Sequence, residues 1–169
     1  MRALRKILFK FISKFQSRKY GRFTAPPQFY TFLNKPDSHG CLLFSYREKA
    51  LINWFIPGKW KHVATWDYLN KTVCESSDDD GIRVLSLDSF LLKYTYVVIR
   101  ICPDMNMRDR MNFVSNFKKH FFSNLICSEL IFKMDSDKII KCRPTRILFW
   151  KIITPQNIYD AKNVIKHER

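Results

Sequence analysis

Between His62 and Ile101 the chain offers four short apolar runs, HVATW, TVCES, IRVLSL and YVVIRI, joined by DYLNK, DDDG and DSFLLKY. HVATW and TVCES alternate in strand fashion around a segment with turn character, and YVVIRI is the most strand-like stretch of the chain. An earlier run, HGCLLFSY, predicts a first strand. DSFLLKY predicts a short helix capped by Asp88, and MRDRMNFVSNFKKHFF a longer one with Met107, Met111, Val114 and Phe117 on one side. ITPQNIYDAKNV predicts a final turn and helix, with Thr154 as cap and Pro155 at the first position. Consecutive strands followed by helices point to an α+β fold in which a small antiparallel sheet or barrel packs against helices. With 169 residues and 46% hydrophobic content, including 15 Phe, 7 Tyr and 4 Trp, the chain can bury one sizeable core.

The formal charge of +15 is unevenly spread. Residues 1–23 hold eight basic residues and no acidic one, leaving 22 of the 30 basic residues against all 15 acidic ones. In that segment Leu4, Ile7, Leu8, Phe11, Ile12 and Phe15 follow helical spacing, opposite a row of Lys6, Lys10 and Lys14. Charges recur too often for it to span a bilayer, and it lacks the h-region of a signal peptide. A basic amphipathic helix suits an anionic membrane surface through residues 2–19; the alternative is a helix packed on its own domain. Residues 24–38 carry three prolines and read as a linker, which leaves 39–169 as the main domain. The aromatics sit mainly in apolar runs rather than alternating with basic residues, which argues against nucleic acid as a partner.

Five cysteines (Cys41, Cys74, Cys102, Cys127, Cys142) at irregular spacing contain no CxxC pair, so no disulfide framework or zinc ribbon is encoded. His39 and Cys41 make at most half of a metal site with no second half, so neither a metal nor another cofactor is expected. Cys127 stands apart because a polar start meets an apolar run there, in NLICSELIF. A thiol attacks carbonyls as a thiolate, which a helix N-terminus and an imidazole both favour. Of four histidines, His62 is best placed, opening an apolar strand after a glycine-containing loop. His39 lies in a polar turn, His120 at a basic helix end and His167 in the tail. Glu75, on the next strand, shares the face of Val73, whereas Cys74 points the opposite way. Glu129 reads as a partner of the helix dipole in the first turn.

GKWKHVATW, then VCES, then GIRVLSLDSFL, then ICSELIF together resemble the circularly permuted papain-like branch of the NlpC-type cysteine hydrolases, most of all the YiiX/YebB-like proteins. FIPGKW before the histidine and the ITP motif at Ile153, Thr154 and Pro155 add to the resemblance, which covers roughly residues 39–160. It implies a permuted papain-like fold with Cys127 as nucleophile, His62 as base and Glu75 as the acid that orients it. It also implies that the loop bearing Trp54, Phe55 and Trp60 borders the active site, as an apolar wall facing substrate. The chain departs from the family pattern at Ile126, where an aromatic residue often stands, and in FKKHFFSNLI, which lacks the usual Gly-rich, Tyr-Asp-containing segment.

The expected activity is hydrolysis or transfer at an amide or ester through an acyl-enzyme. The resemblance supplies two substrate classes, cell-wall-type peptides and lipid or acyl compounds. The amphipathic helix and aromatic loop tilt the expectation toward the second, in a cytoplasmic protein attached peripherally to membrane. A catalytically silent membrane- or RNA-binding module of the same fold is the alternative.

Overall fold

The computed structural model describes residues 22–48, 57–77, 81–119, 127–128, 131, 135, 139–147 and 150–166. In chain order these give α1 (Pro27–Leu33), a 3-10 turn (Pro36–Ser38), β1 (Leu42–Tyr46), β2 (His62–Asp67), β3 (Thr72–Ser77) and β4 (Gly81–Ser86). There follow α2 (Leu87–Leu91), β5 (Tyr96–Ile101), α3 (Met107–Lys119), β6 (Thr145–Ile147), β7 (Trp150–Ile152), α4 (Pro155–Tyr159) and β8 (Ile165–Lys166). Six strands form one antiparallel sheet in the order β4-β3-β2-β1-β5-β8, and β6 pairs with β7 in a separate hairpin. This is an α+β fold, as the order of strand and helix signals predicts.

The central strand β1 explains the layering. Its residues Leu42, Leu43 and Phe44 are all buried, because the sheet is covered on both faces and a continuous apolar run meets core on each side. Leu42 and Phe44 join Phe113 and Val114 of α3, Ile158 of α4 and Cys127 in one cluster. Leu43 turns the other way, to Phe29, Phe32 and Leu33 of α1 and Phe90 and Leu91 of α2. Each such side chain contributes about 1.5–3 kcal/mol by leaving water.

Four expectations are corrected. Residues 24–38 are not a plain linker: Pro27 occupies the first helical turn, where a missing N–H costs nothing, and starts α1 rather than breaking it. Trp66 fastens that helix to the sheet by donating from Nε1 to Leu33 O at 3.1 Å. The cap of α2 is Ser86, whose hydroxyl accepts from Ser89 N–H, and Asp88 lies within the first turn. On α3 it is Phe113 and Val114 that are buried, while Met107 and Met111 are exposed. Lastly, β6, β7 and β8 form where no strand was expected. At α4 the expectation holds: Thr154 caps, Pro155 follows, and Asn157 completes a reciprocal capping box. The basic segment 2–19 lies outside the described residues.

Candidate active site

His62 opens β2 and Glu75 sits on β3, and the antiparallel pairing of these strands carries both side chains to one face. His62 Nε2 lies 2.8 Å from Glu75 Oε2. A carboxylate only accepts, so the imidazole donates Nε2–H and keeps Nδ1 for another partner. The Cys127 thiol lies beside the same ring, close enough for its charge and hydrogen bonding to act on the imidazole. Cys127, Ser128 and Ile131 are helical. Cys127 and Ile131, four residues apart, share the helix face that packs into the core. Ser128 Oγ donates to Ile153 O at 2.6 Å, binding the cysteine helix to the ITP motif.

Glu75 is completely buried, yet four groups surround its carboxylate. Oε2 accepts from His62 and, at a longer 3.4 Å, from the Tyr94 hydroxyl; Oε1 accepts from Arg83 Nε at 2.6 Å and Lys93 Nζ at 3.0 Å. Burial by itself favours the neutral acid, but the hydrogen bond and charge of His62, then Arg83 and Lys93, hold the carboxyl well below its usual range. For His62, burial alone would push the imidazole down. The Cys127 and Glu75 charges and their hydrogen bonds outweigh it and raise the ring to about 10. The Tyr94 ring stacks on the imidazole, with centroids 5.5 Å apart and planes 13° from parallel, so the histidine is held on three sides. Burial and the nearby Glu75 push the Tyr94 phenol up, which keeps it a neutral donor.

His39 illustrates the contrast. It is buried, and its Nδ1 accepts the Tyr68 backbone N–H at 3.1 Å beside Asp67. His39 does lie in a turn, as its sequence suggests, but it is buried there and its ring serves structure.

The segment before His62 is pinned from the far end of the chain. Gln156 Oε1 accepts N–H from both Lys59 and Trp60, at 2.9 and 3.2 Å. Gly58 approaches so closely that an added Cβ would lie 2.5 Å from Gln156 side-chain carbons, at a φ of +89°. Gly58→Ala should therefore lower stability by about 1–3 kcal/mol, read as a drop in Tm. An unchanged Tm would show that the loop is not held there. Trp60, expected as part of a substrate wall, is instead core: it is buried between Phe44 and Tyr159. Trp54, Phe55 and Glu129 lie outside the described residues.

Sequence reasoning missed Arg83, Lys93, Tyr94, Ser128 and Gln156. Arg83 had a signal. Residues 77 and 81 pair across the β3–β4 turn, so an acid and a base equally far from it must face each other. Lys93 and Tyr94 had none, because α2 folds back to deliver them.

A cysteine on a helix beside an imidazole that is hydrogen-bonded to a carboxylate, with the helix laid against an antiparallel sheet, is similar to the arrangement of papain-like thiol enzymes. The family described as permuted papain-like amidases, of the YaeF/YiiX or C92 type, matches residues 38–163, and the chain belongs to it. The crystal structure of metalloprotein yiiX from Escherichia coli O157:H7 has the same fold, with a TM-score of 0.63 at 11% identity over 78% of this chain and 97% of that one. Comparison with curated proteins finds no match. That neighbour is described as a metalloprotein. Among the described residues of this chain, no three His, Cys, Asp or Glu side chains form a group suited to a metal ion.

The other thiols are poor nucleophiles. All five cysteines are free. Burial pushes Cys41 far up, and Cys102 and Cys142 to about 11, the latter two with help from nearby carboxylates. Cys74 is sealed in the core. Iodoacetamide should therefore modify Cys127 first in the folded protein, as peptide mapping would read. Equal labelling of all five would remove its special status.

Proposed function

We propose that the chain is a thiol hydrolase or acyltransferase that opens an amide or ester bond through an acyl-enzyme on Cys127. The observation that carries this reading is the single imidazole that meets Glu75 at 2.8 Å and on which the Cys127 thiol acts. Nδ1 of His62 takes the thiol proton, and Glu75 stabilises the imidazolium that results. The thiolate attacks the substrate carbonyl carbon, and the carbonyl π pair moves onto oxygen. The Cys127 backbone N–H supports that oxyanion. Collapse expels the amine or alcohol, which leaves with the imidazolium proton. Water or another acceptor, deprotonated by His62, then attacks the thioester and returns the thiol.

The substrate class we favour is a lipid or acyl compound over a cell-wall-type peptide, with residues 2–19 holding the protein peripherally on an anionic membrane. Support comes from the amphipathic pattern of that segment and from the aromatic pair Trp54 and Phe55 ahead of His62 in the sequence. Among the described residues no helix is long and apolar enough to cross a membrane.

The test is intact-mass and peptide analysis after incubation with activated acyl esters and with acylated amides. An acyl adduct should form on Cys127 and vanish in Cys127→Ala. Absence of any adduct, with the thiol intact, would leave the silent binding module as the reading. Pelleting with anionic but not neutral liposomes tests the membrane part separately.

A further inference from the structure

The carboxylate that orients His62 is shared unequally. Its Oε2 serves the imidazole, while two permanent cations, Arg83 from β4 and Lys93 from the turn after α2, converge on Oε1. One buried negative charge thus faces two positive ones before the histidine is protonated. Nor is Lys93 there by chance of a mobile side chain. Its carbonyl accepts from Arg47 Nε at 2.8 Å, and the adjoining Thr95 hydroxyl accepts from Glu48 N–H, so the corner is bolted to the end of β1.

Orienting a histidine requires only an acceptor, so the pair of cations needs its own account. A lone buried carboxylate would bind an imidazolium so firmly that the ring would release its proton reluctantly to a leaving group. Cations on the opposite oxygen draw charge away from Oε2 and repel the imidazolium through a short, poorly screened path. We propose that Arg83 and Lys93 are positioning residues that act through Glu75 to restrain the basicity of His62, keeping it a usable proton donor. This rests on the reading of Cys127, His62 and Glu75 as the reaction centre.

Among the described residues, other charged or titratable groups also lie near the ring. The Cys127 thiol faces it from the helix, and Tyr94 stacks on it with the Arg47 guanidinium 5.7 Å beyond that ring's centroid. Lys61 precedes it in the chain, where burial lowers the amine. Arg83 and Lys93 each donate to Oε1 of Glu75 from a different element, so each can be substituted separately.

The experiment is an NMR titration of the imidazole Cε1–H resonance in the full chain carrying Cys127→Ala, which removes the neighbouring thiol. His62→Gln identifies the signal. Lys93→Met and Arg83→Gln should each move the His62 midpoint up. The shift should be about one pH unit for Lys93 and smaller for Arg83, whose side chain is more exposed to screening solvent. Lys93→Arg should restore the original midpoint, and Glu75→Gln should shift it down. A midpoint that stays still or falls in the folded Lys93→Met and Arg83→Gln proteins would overturn the inference. So would failure of both to fold, since the cations would then be structural counter-ions. If the midpoints move as expected but no acyl adduct forms on Cys127, the tuning stands and the functional reading falls. An adduct without shifts keeps the functional reading and overturns the tuning.

Discussion

His62→Ala should slow acylation of Cys127 by about 10²–10⁴-fold while leaving the protein folded, because the imidazole lies beside the thiol and bonds the carboxylate. Its ring lies at the margin of the core, with 16% of the side chain exposed, so truncation removes a stacked partner of Tyr94 without opening the sheet. The loss is read from the burst of an activated acyl ester, which isolates acylation from turnover. A variant within a few-fold of the wild type would assign proton transfer to another residue. The same imidazole sets the alkaline limb for amide substrates, whose leaving group needs a proton. With His62 raised to about 10, turnover should persist far above the ordinary histidine value of 6.5 and decline only as the imidazolium deprotonates. A decline centred near 6.5 would contradict the coupling to Cys127 and Glu75.

Glu75→Ala should destabilise the protein by about 3–5 kcal/mol, through the positive charges left facing one another in a buried site. Arg83 and Lys93 keep some contact with solvent, which places the effect toward the lower end. Glu75→Gln keeps two polar acceptor or donor positions and should cost less in both stability and rate. The pH dependence has a definite sign. A carboxyl held below its ordinary value of 4.5 contributes stability that is present above that value and lost as pH falls through the folded value. Urea midpoints of the wild type should therefore drop on acidification below about pH 4.5, by more than those of Glu75→Gln. Parallel loss in both proteins would place the acid sensitivity elsewhere.

What could be read from residues alone was whatever local pattern decides. YVVIRI forms β5 over Tyr96–Ile101, and HVATW, TVCES and IRVLSL each yield a strand, because apolar runs bounded by turns leave few other options. Glu75 on the face of Val73 followed from strand alternation, and both are buried. The prolines of residues 24–38 misled, since proline breaks a helix from within but favours its first turn. Trp60 misled for a different reason: an aromatic residue in a loop looks alike whether it faces ligand or core. The partnership of Cys127 with His62 spans sixty-odd residues and no local pattern encodes it. The ordered motifs of a family resemblance pointed to it. Lys93 and Tyr94 stayed invisible because only the backward fold of α2 brings them to Glu75.

The Ile153–Gln156 segment touches both arms of the candidate centre, through Ile153 O on Ser128 and Gln156 on Lys59 and Trp60. It follows Cys127, His62 and Glu75 in the chain, so on the ribosome it is made after all three. A nascent polypeptide would carry Cys127 and His62 well before the clasp that brackets them exists. Assembly of the centre is thereby deferred until the tail has left the exit tunnel, and a prematurely terminated product would carry the cysteine without its setting.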